Sequence, residues 1–262
     1  MYLDDKHAGS NNQVDSPLGS RVSASGALYI VSTPIGNLGD MTPRAIEVLR
    51  EVGYAYSEDT RVSGRLFKHF EIDTVLRRFD DNTGERKIDE IIELLINGVD
   101  IALVSDAGTP VISDPGMPLV AAAHEARVEV ITIPGASAAV AALSISGLPA
   151  HAYYFGGFLP RKKGKRETLL ASLDSINASL IFYESPFRIV KTLEHLTELY
   201  PARQAAIARE LTKRHEELLR GTLDELCQEF ADRQKASDAG KAATIKGEFV
   251  ILLAPIKPPK SK

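Results

Sequence analysis

Only one of the 262 residues, Cys227, is a cysteine. That excludes a disulfide framework and a cysteine-based zinc site, and it fits a reducing compartment. No stretch approaches the ~20 consecutive apolar residues of a membrane-spanning helix. The best candidate, 136–147, is shorter and carries Ser137, Ser144 and Ser146. The opening MYLDDKHAGSNNQVDSPLGSRVSASG lacks the apolar core of a secretory signal. An overall basic excess is missing as well. Lys and Arg total 31 against 35 Asp and Glu, a net charge of -4, so any basic surface for nucleic acid must be local. No G-x-x-x-x-G-K-[ST] occurs, and no G-x-G-x-x-G follows a strand; Gly36-Asn37-Leu38-Gly39 is too short, so the pyrophosphate cradles are absent. A nucleoside-type ligand without phosphates fits better. No G-x-S-x-G elbow appears, and the six histidines (His7, His69, His124, His151, His195, His215) show no metal-ligand spacing. No metal is therefore expected. Asp106 and Asp114 flank a Gly-Pro turn and read as caps or ligand-hydroxyl contacts before they read as a Mg²⁺ site. Cys227, among Leu223, Leu226 and Phe230, reads as a core thiol.

What is present is enough apolar residue, 44%, for a sizeable core in one large or two ordinary domains. LYIVST is a short apolar run closed by Pro34 and Gly36, hence a buried strand. TPRAIEVLREVG then offers Thr42 as N-cap, Pro43 at the first helical position and Ala45, Val48, Leu49 and Val52 on one face. YAYS, DIALVS and VEVITIP read as strands. KIDEIIELLING, with Ile88, Ile91, Ile92 and Leu95 aligned, PLVAAAHEA and ASAAVAALSISG read as helices. This alternation predicts a parallel sheet covered by helices. After Leu148 comes LPAHAYYFGGFLP, whose Tyr153, Tyr154, Phe155 and Phe158 alternate as a strand does. A second series follows, with strands SLIFYES, QAAIARE and GEFVILLA and helices RETLLASLDSI, PFRIVKTLEHLTELY and TLDELCQEFADR. The expected layout is a tail over 1–26, an N-terminal α/β domain over 27–148, a C-terminal α/β domain over 149–256 and a tail over 257–262. A polar loop is expected over 233–246.

Ligands of open parallel sheets bind beyond the C-terminal strand ends. Four segments sit there: STPIGNLGD, SEDTR, SDAGTPVISDPG and IPGASA. Strand-to-helix turns use Gly, Pro, Ser and Asp in any case, and Ser137 reads first as a helix cap. Four elaborate turns together point to a ligand site. The run RKKGKR places Arg161, Lys162, Lys163, Lys165 and Arg166 at a helix start, where cations are disfavoured unless an anion meets them. A phosphate backbone would be such an anion; a solvated helix start is the plainer alternative. Arg61, Arg65, Lys68, Arg77 and Arg78 add basic surface to the first domain.

From about Leu28 to Ala254 the chain resembles the ribosomal RNA small-subunit methyltransferase I family, the ribose-methylating branch of the tetrapyrrole methylase superfamily. The resemblance rests on YIVSTPIGNLGDMTPRA, SEDTRVSGRL, VSDAGTPVISDPG, IPGASAAVAALSISGLP, GFLPRKKGKR, FYESPFRI, ARELTKRHEE and GEFVILLA, in that order. It implies a class III methyltransferase fold of two α/β domains with S-adenosylmethionine in the cleft between them. It implies 2′-O-methylation of a cytidine ribose in the decoding region of small-subunit ribosomal RNA, within the assembled subunit. It also implies a cytoplasmic homodimer. Carried over by motif, Ile35, Asp106, Thr109, Ser137, Ala138, Tyr183, Leu211 and Glu248 touch the donor. SEDTR and RELTK offer Glu58, Asp59, Arg61, Arg209, Glu210 and Lys213. Of these, Asp59 and Lys213 are expected to activate the ribose hydroxyl and Arg61 to meet phosphate; a structural ion-pair set across the cleft is the alternative. Arg161, Lys162, Lys163, Lys165 and Arg166 are expected to face RNA. Other readings are a tetrapyrrole methylase, a non-catalytic donor-binding ribosome-associated factor and a nucleoside-binding regulatory module. STPIGN in place of a GxGPG-like first loop argues against a corrin or porphyrin substrate.

Overall fold

The computed structural model describes residues 25–240 and 245–256. Most of both expected tails and part of the 233–246 segment lie outside the described residues, and 233–238 is helical rather than the expected loop, because it continues a helix that starts at Leu223. The first half contains β1 (Ala27–Val31), α1 (Pro43–Glu51), β2 (Tyr54–Ser57), α2 (Thr60–His69), β3 (Val75–Arg78), α3 (Glu85–Ile96), β4 (Ile101–Val104), α4 (Met117–Glu125), β5 (Glu129–Ile133) and α5 (Ala138–Ser146). The second contains β6 (Tyr153–Phe158), α6 (Lys163–Leu173), β7 (Ser179–Glu184), α7 (Ile189–Leu199), β8 (Gln204–Arg209), β9 (Glu217–Thr222), α8 (Leu223–Asp238) and β10 (Phe249–Leu253).

The first sheet has the order β3-β2-β4-β1-β5 and is parallel throughout. Its middle strand β4 is buried at every position, as expected of a strand with helices on both faces. Thr42 caps α1 through its hydroxyl, and Ala45, Val48 and Leu49 bury against Tyr29, Ala55 and Ala102. Ile88, Ile91 and Leu95 of α3 join Leu119 of α4 on the opposite face. The second sheet, β6-β7-β10-β8-β9, is mixed. β10 runs antiparallel between β7 and β8, and β9 closes the edge antiparallel to β8.

α5 precedes the expected boundary at 148, yet its buried face lies against the second sheet. Ala139, Ala142 and Leu143 share one core with Ile181, Ala206, Ala208, Val250 and Leu252, and Ile35 of the first β-α turn joins them. That core fixes the turns of the first sheet over the strand ends of the second. Among the described residues no helix is long and apolar enough to cross a membrane.

Candidate active site in the cleft

The turns after β1, β4 and β5 meet the C-terminal end of β7, the turn after β8 and the start of β10 around one cavity of about 360 Å³. Ile35, Thr109, Ser137 and Ala138 line it from the first half, and Tyr183, Leu211 and Glu248 from the second. Asp114, Phe158 and Glu184 complete the wall.

The three turns of the first sheet are braced to one another. The Ser32 hydroxyl donates to Thr109 Oγ1 at 3.0 Å, and the Thr109 hydroxyl donates to Ala136 O at 3.2 Å. Thr33 and Gly108 exchange backbone hydrogen bonds of 2.9 and 3.2 Å. Gly108 holds φ at +96, a conformation that L side chains rarely adopt, which is why glycine stands there. Of the six non-glycine residues with positive φ among those described, Val111, Ser113, Glu210 and Thr212 flank this cavity. For a β-branched valine that conformation is costly and persists only where the surroundings impose it. The rim across the cleft is locked as well. Lys213 Nζ sits 2.9 Å from Glu210 and 3.0 Å from Glu248, and its stem lies against Gly36. A Cβ on Gly36 would come within 2.4 Å of Lys213 Cγ and 3.0 Å of Leu211 O. Gly36→Ala is therefore expected to wedge the two halves apart at about 1–3 kcal/mol, weakening ligand binding about tenfold in calorimetry; unchanged affinity would show that this contact is not needed.

Asp114 is the cavity's distinctive acid. Its burial pushes the carboxyl above its ordinary value, a hydrogen bond donated by the Ser105 hydroxyl pulls the other way, and the Asp106 charge adds to the upward push. Glu58 is raised too, by burial and then by Asp106 and Asp114. Tyr183 stacks edge-on with Phe155 and Phe158 at 4.9 and 5.7 Å, and burial raises its phenol.

The Tetrapyrrole (Corrin/Porphyrin) Methylases family model matches residues 27–227. A ribosomal RNA small subunit methyltransferase I of Micromonospora olivasterospora is 49% identical over 88% of this chain and 71% of its own. The protein of the same name from a Synechocystis strain is 47% identical over 89% of this chain and 80% of its own. The chain belongs to the ribosomal RNA small subunit methyltransferase I family. In its fold it is similar to diphthine synthase (TM-score 0.66, 15% identity, 88% and 90% of the two chains). It is likewise similar to uroporphyrin-III C-methyltransferase of Thermus thermophilus complexed with S-adenyl homocysteine (TM-score 0.56, 18% identity, 87% and 97%). The two-sheet architecture is thus that of the tetrapyrrole methylase-like methyltransferases.

Against that family background, seven of the eight residues expected at the donor stand on one cavity wall: Ile35, Thr109, Ser137, Ala138, Tyr183, Leu211 and Glu248. Asp106 stands apart. It lines a neighbouring cavity of about 260 Å³ with Thr33, Ser63 and Arg65, and accepts from Ser63 Oγ and Asp59 N, each at 3.3 Å. Ser137 departs from the capping role, because its side chain makes no cap hydrogen bond and is left facing the cavity.

Asp59 is not among the residues that line the cavity. It is the N-cap of α2, accepting from Arg61 N at 2.9 Å, and Arg61's guanidinium grips both its oxygens at 2.9 and 2.6 Å. That grip holds its carboxyl well below the usual range. Lys213 is held by carboxylates. Burial lowers its ammonium, but the Glu210 and Glu248 carboxylates outweigh that and raise it. It braces the rim of the cleft. Arg166 does not face RNA. It is buried and donates Nε–H to His195 Nδ1 at 2.6 Å, while His195 Nε2 meets Glu167 at 3.0 Å. Lys163 pairs with Glu198 at 2.7 Å, whereas Arg161, Lys162 and Lys165 are exposed. Sequence reading missed Glu184. Its signal was an acid closing the apolar strand SLIFYE, where only a turn would be looked for.

Proposed function

We propose that the protein transfers a methyl group from S-adenosylmethionine to the 2′-oxygen of a cytidine ribose in the decoding region of small-subunit ribosomal RNA. The observation that carries this reading is the braced cavity holding a raised carboxyl, in a chain 49% identical to a ribosomal RNA small subunit methyltransferase I. The residues fit the donor. The volume lies in the range of roughly 300–1,000 Å³ used by small-molecule sites. Ile35, Leu211 and Val250 give apolar wall, the Asp114 carboxylate suits a cation, and the Tyr183 ring adds an aromatic surface. When bound, the donor supplies a methyl group on a positively charged sulfur, already activated for displacement.

The chain's own work is orientation and proton acceptance. Alignment by braced walls is worth on the order of 7–11 kcal/mol in good cases. The ribose hydroxyl must lose its proton as its oxygen is alkylated. Asp114 takes that proton in this proposal, in place of Asp59, because it stands in the cavity wall and its affinity for a proton is raised. Exposed Arg161, Lys162 and Lys165 surround the N-terminus of α6, whose cap residue Lys162 makes no side-chain cap bond. Backbone phosphate would satisfy both the cations and the free N–H groups. Arg61 is held by Asp59 and stays a lesser phosphate contact. A homodimer, a cytoplasmic location and recognition of the assembled subunit belong to the same proposal.

Substituting Arg161, Lys162 and Lys165 together by Ala should weaken RNA binding and flatten the log–log dependence of affinity on salt by about 2, at roughly 0.7 for each phosphate no longer neutralised. An unchanged slope would remove this segment from the interface. The function itself is tested by offering labelled S-adenosylmethionine with small ribosomal subunits or with uroporphyrinogen. Label in the subunit alone is the expected outcome; label in the tetrapyrrole alone overturns the proposal.

A further inference from the structure

The turn between β7 and α7 displays the most exposed large hydrophobic side chain among the described residues, Phe187, at 93%. The sequence expected a helix from Pro186, but α7 starts at Ile189 and leaves Phe187 in the turn. That turn is rigid. Ser185 N–H donates to buried Glu184 at 2.8 Å, Phe187 N–H to Ser185 Oγ at 3.2 Å and Arg188 N–H to Ser185 O at 3.0 Å. A ring held in water by a fixed backbone lacks a partner rather than a place in the core.

Its flanks indicate the partner's chemistry. On one side Ser185 and Pro186 line the cavity, with Phe158 on the same wall and 55% exposed. On the other side Arg188 donates to Leu159 O at 2.7 Å. This ties the turn to the end of β6, from which the exposed cations Arg161 and Lys162 follow directly. An aromatic face beside a cationic track is how proteins hold single-stranded nucleic acid, with bases on the rings and phosphates on the cations. A ribose whose hydroxyl enters a cavity must leave its helical stack, so its base or a neighbouring one needs a new surface. We propose that Phe187 is that surface, a stacking platform for an unpaired base of the RNA substrate beside the methylated ribose. The proposal rests on the RNA-methylation reading given above. A second copy of this chain is the weaker occupant, because a two-fold contact here would bring the Arg161, Lys162 and Lys165 tracks of both copies together.

The chain contains no tryptophan, so Phe187→Trp installs a single fluorescent reporter. Its emission should be quenched by a short oligocytidine RNA and not by an abasic strand of the same length. Phe187→Ala should weaken oligocytidine binding by about 5- to 150-fold, the span of a single base–aromatic stack, while Phe187→Tyr retains it. S-adenosylmethionine affinity and the unfolding midpoint of Phe187→Ala should stay at wild-type values, since the exposed ring is no part of the core. Wild-type oligocytidine affinity in Phe187→Ala, or equal quenching by the abasic strand, overturns the platform. A shift from dimer to monomer in sedimentation of Phe187→Ala overturns it in favour of a second copy. If the wild-type protein methylates small subunits while Phe187→Ala is unimpaired, the platform alone falls. If the wild-type protein neither binds RNA nor methylates it, the underlying reading falls with it.

Discussion

Asp114→Asn is expected to lower the methyl-transfer rate by about 10²- to 10⁴-fold, the loss associated with removing a positioned proton acceptor. Asn keeps the size of Asp and can still accept the Ser105 hydroxyl hydrogen bond, so the cavity should hold its shape. What it cannot do is take the ribose proton. Burial already favours the neutral form of Asp114, and two consequences follow. The wild-type rate should fall with decreasing pH through a carboxyl titration lying above the ordinary aspartate value of 3.8, since only the ionised form accepts a proton. That acid limb should vanish in Asp114→Asn. For stability the sign is the reverse. A carboxyl raised in the folded state disfavours folding when it is charged, and this is relieved as pH drops through the raised value. The Asn protein should therefore be no less stable than wild type at neutral pH. Single-turnover transfer to small subunits at several pH values measures the rate and its acid limb, and urea unfolding the stability; a rate within about threefold of wild type would exclude Asp114 as the acceptor.

Glu184→Ala is expected to cost about 3–5 kcal/mol of stability, the usual penalty for breaking a buried ion pair from one side. The Glu184 side chain is fully buried and lies 3.2 Å from Arg188. It accepts from Thr192 Oγ1 at 2.7 Å and from Ser185 N at 2.8 Å. Alanine would leave the half-buried Arg188 guanidinium without its counter-charge, with only the Leu159 carbonyl still accepting from it, and the buried Thr192 hydroxyl without its acceptor. Against the 5–15 kcal/mol typical of whole domains, that is a large share. Urea unfolding should show a lower midpoint with little change in slope. A loss under about 1 kcal/mol would mean that Arg188 and Thr192 find other partners. Glu184→Gln keeps two of the acceptor contacts and should lose roughly half as much.

The elements that were legible in the sequence are those whose apolar period faces a core. Ala45, Val48 and Leu49 in α1 and Ile88, Ile91 and Leu95 in α3 are buried on the expected faces. β3 and β9 were not legible, because neither buries an apolar face. Val75–Arg78 is exposed at both ends and Glu217–Thr222 has no fully buried position, so neither shows an apolar run. α2 was hidden by Gly64 and its charges; it buries only Ser63 and Phe67. The antiparallel insertion of β10 between β7 and β8 leaves no local mark, since periodicity identifies a strand but not its neighbours.

At the site, the strand-end turns were legible from the rule that parallel sheets bind ligands beyond their C-terminal edge. The roles of charged residues were not. Asp59-Thr60-Arg61 reads equally as chemistry or as a helix cap, and the bidentate contact with Arg61 is visible only in three dimensions. Arg166 carried a signal that the charge run concealed, because it shares its buried face with Leu170 and Leu173 at helical spacing.

The most direct measurement is nucleoside analysis of small-subunit ribosomal RNA after incubation of the subunits with this protein and S-adenosylmethionine carrying a heavy methyl group. The expected product is 2′-O-methylcytidine, formed by the wild-type protein and almost absent with Asp114→Asn. A heavy methyl on a base, on another nucleoside or nowhere in the RNA would contradict the proposed function.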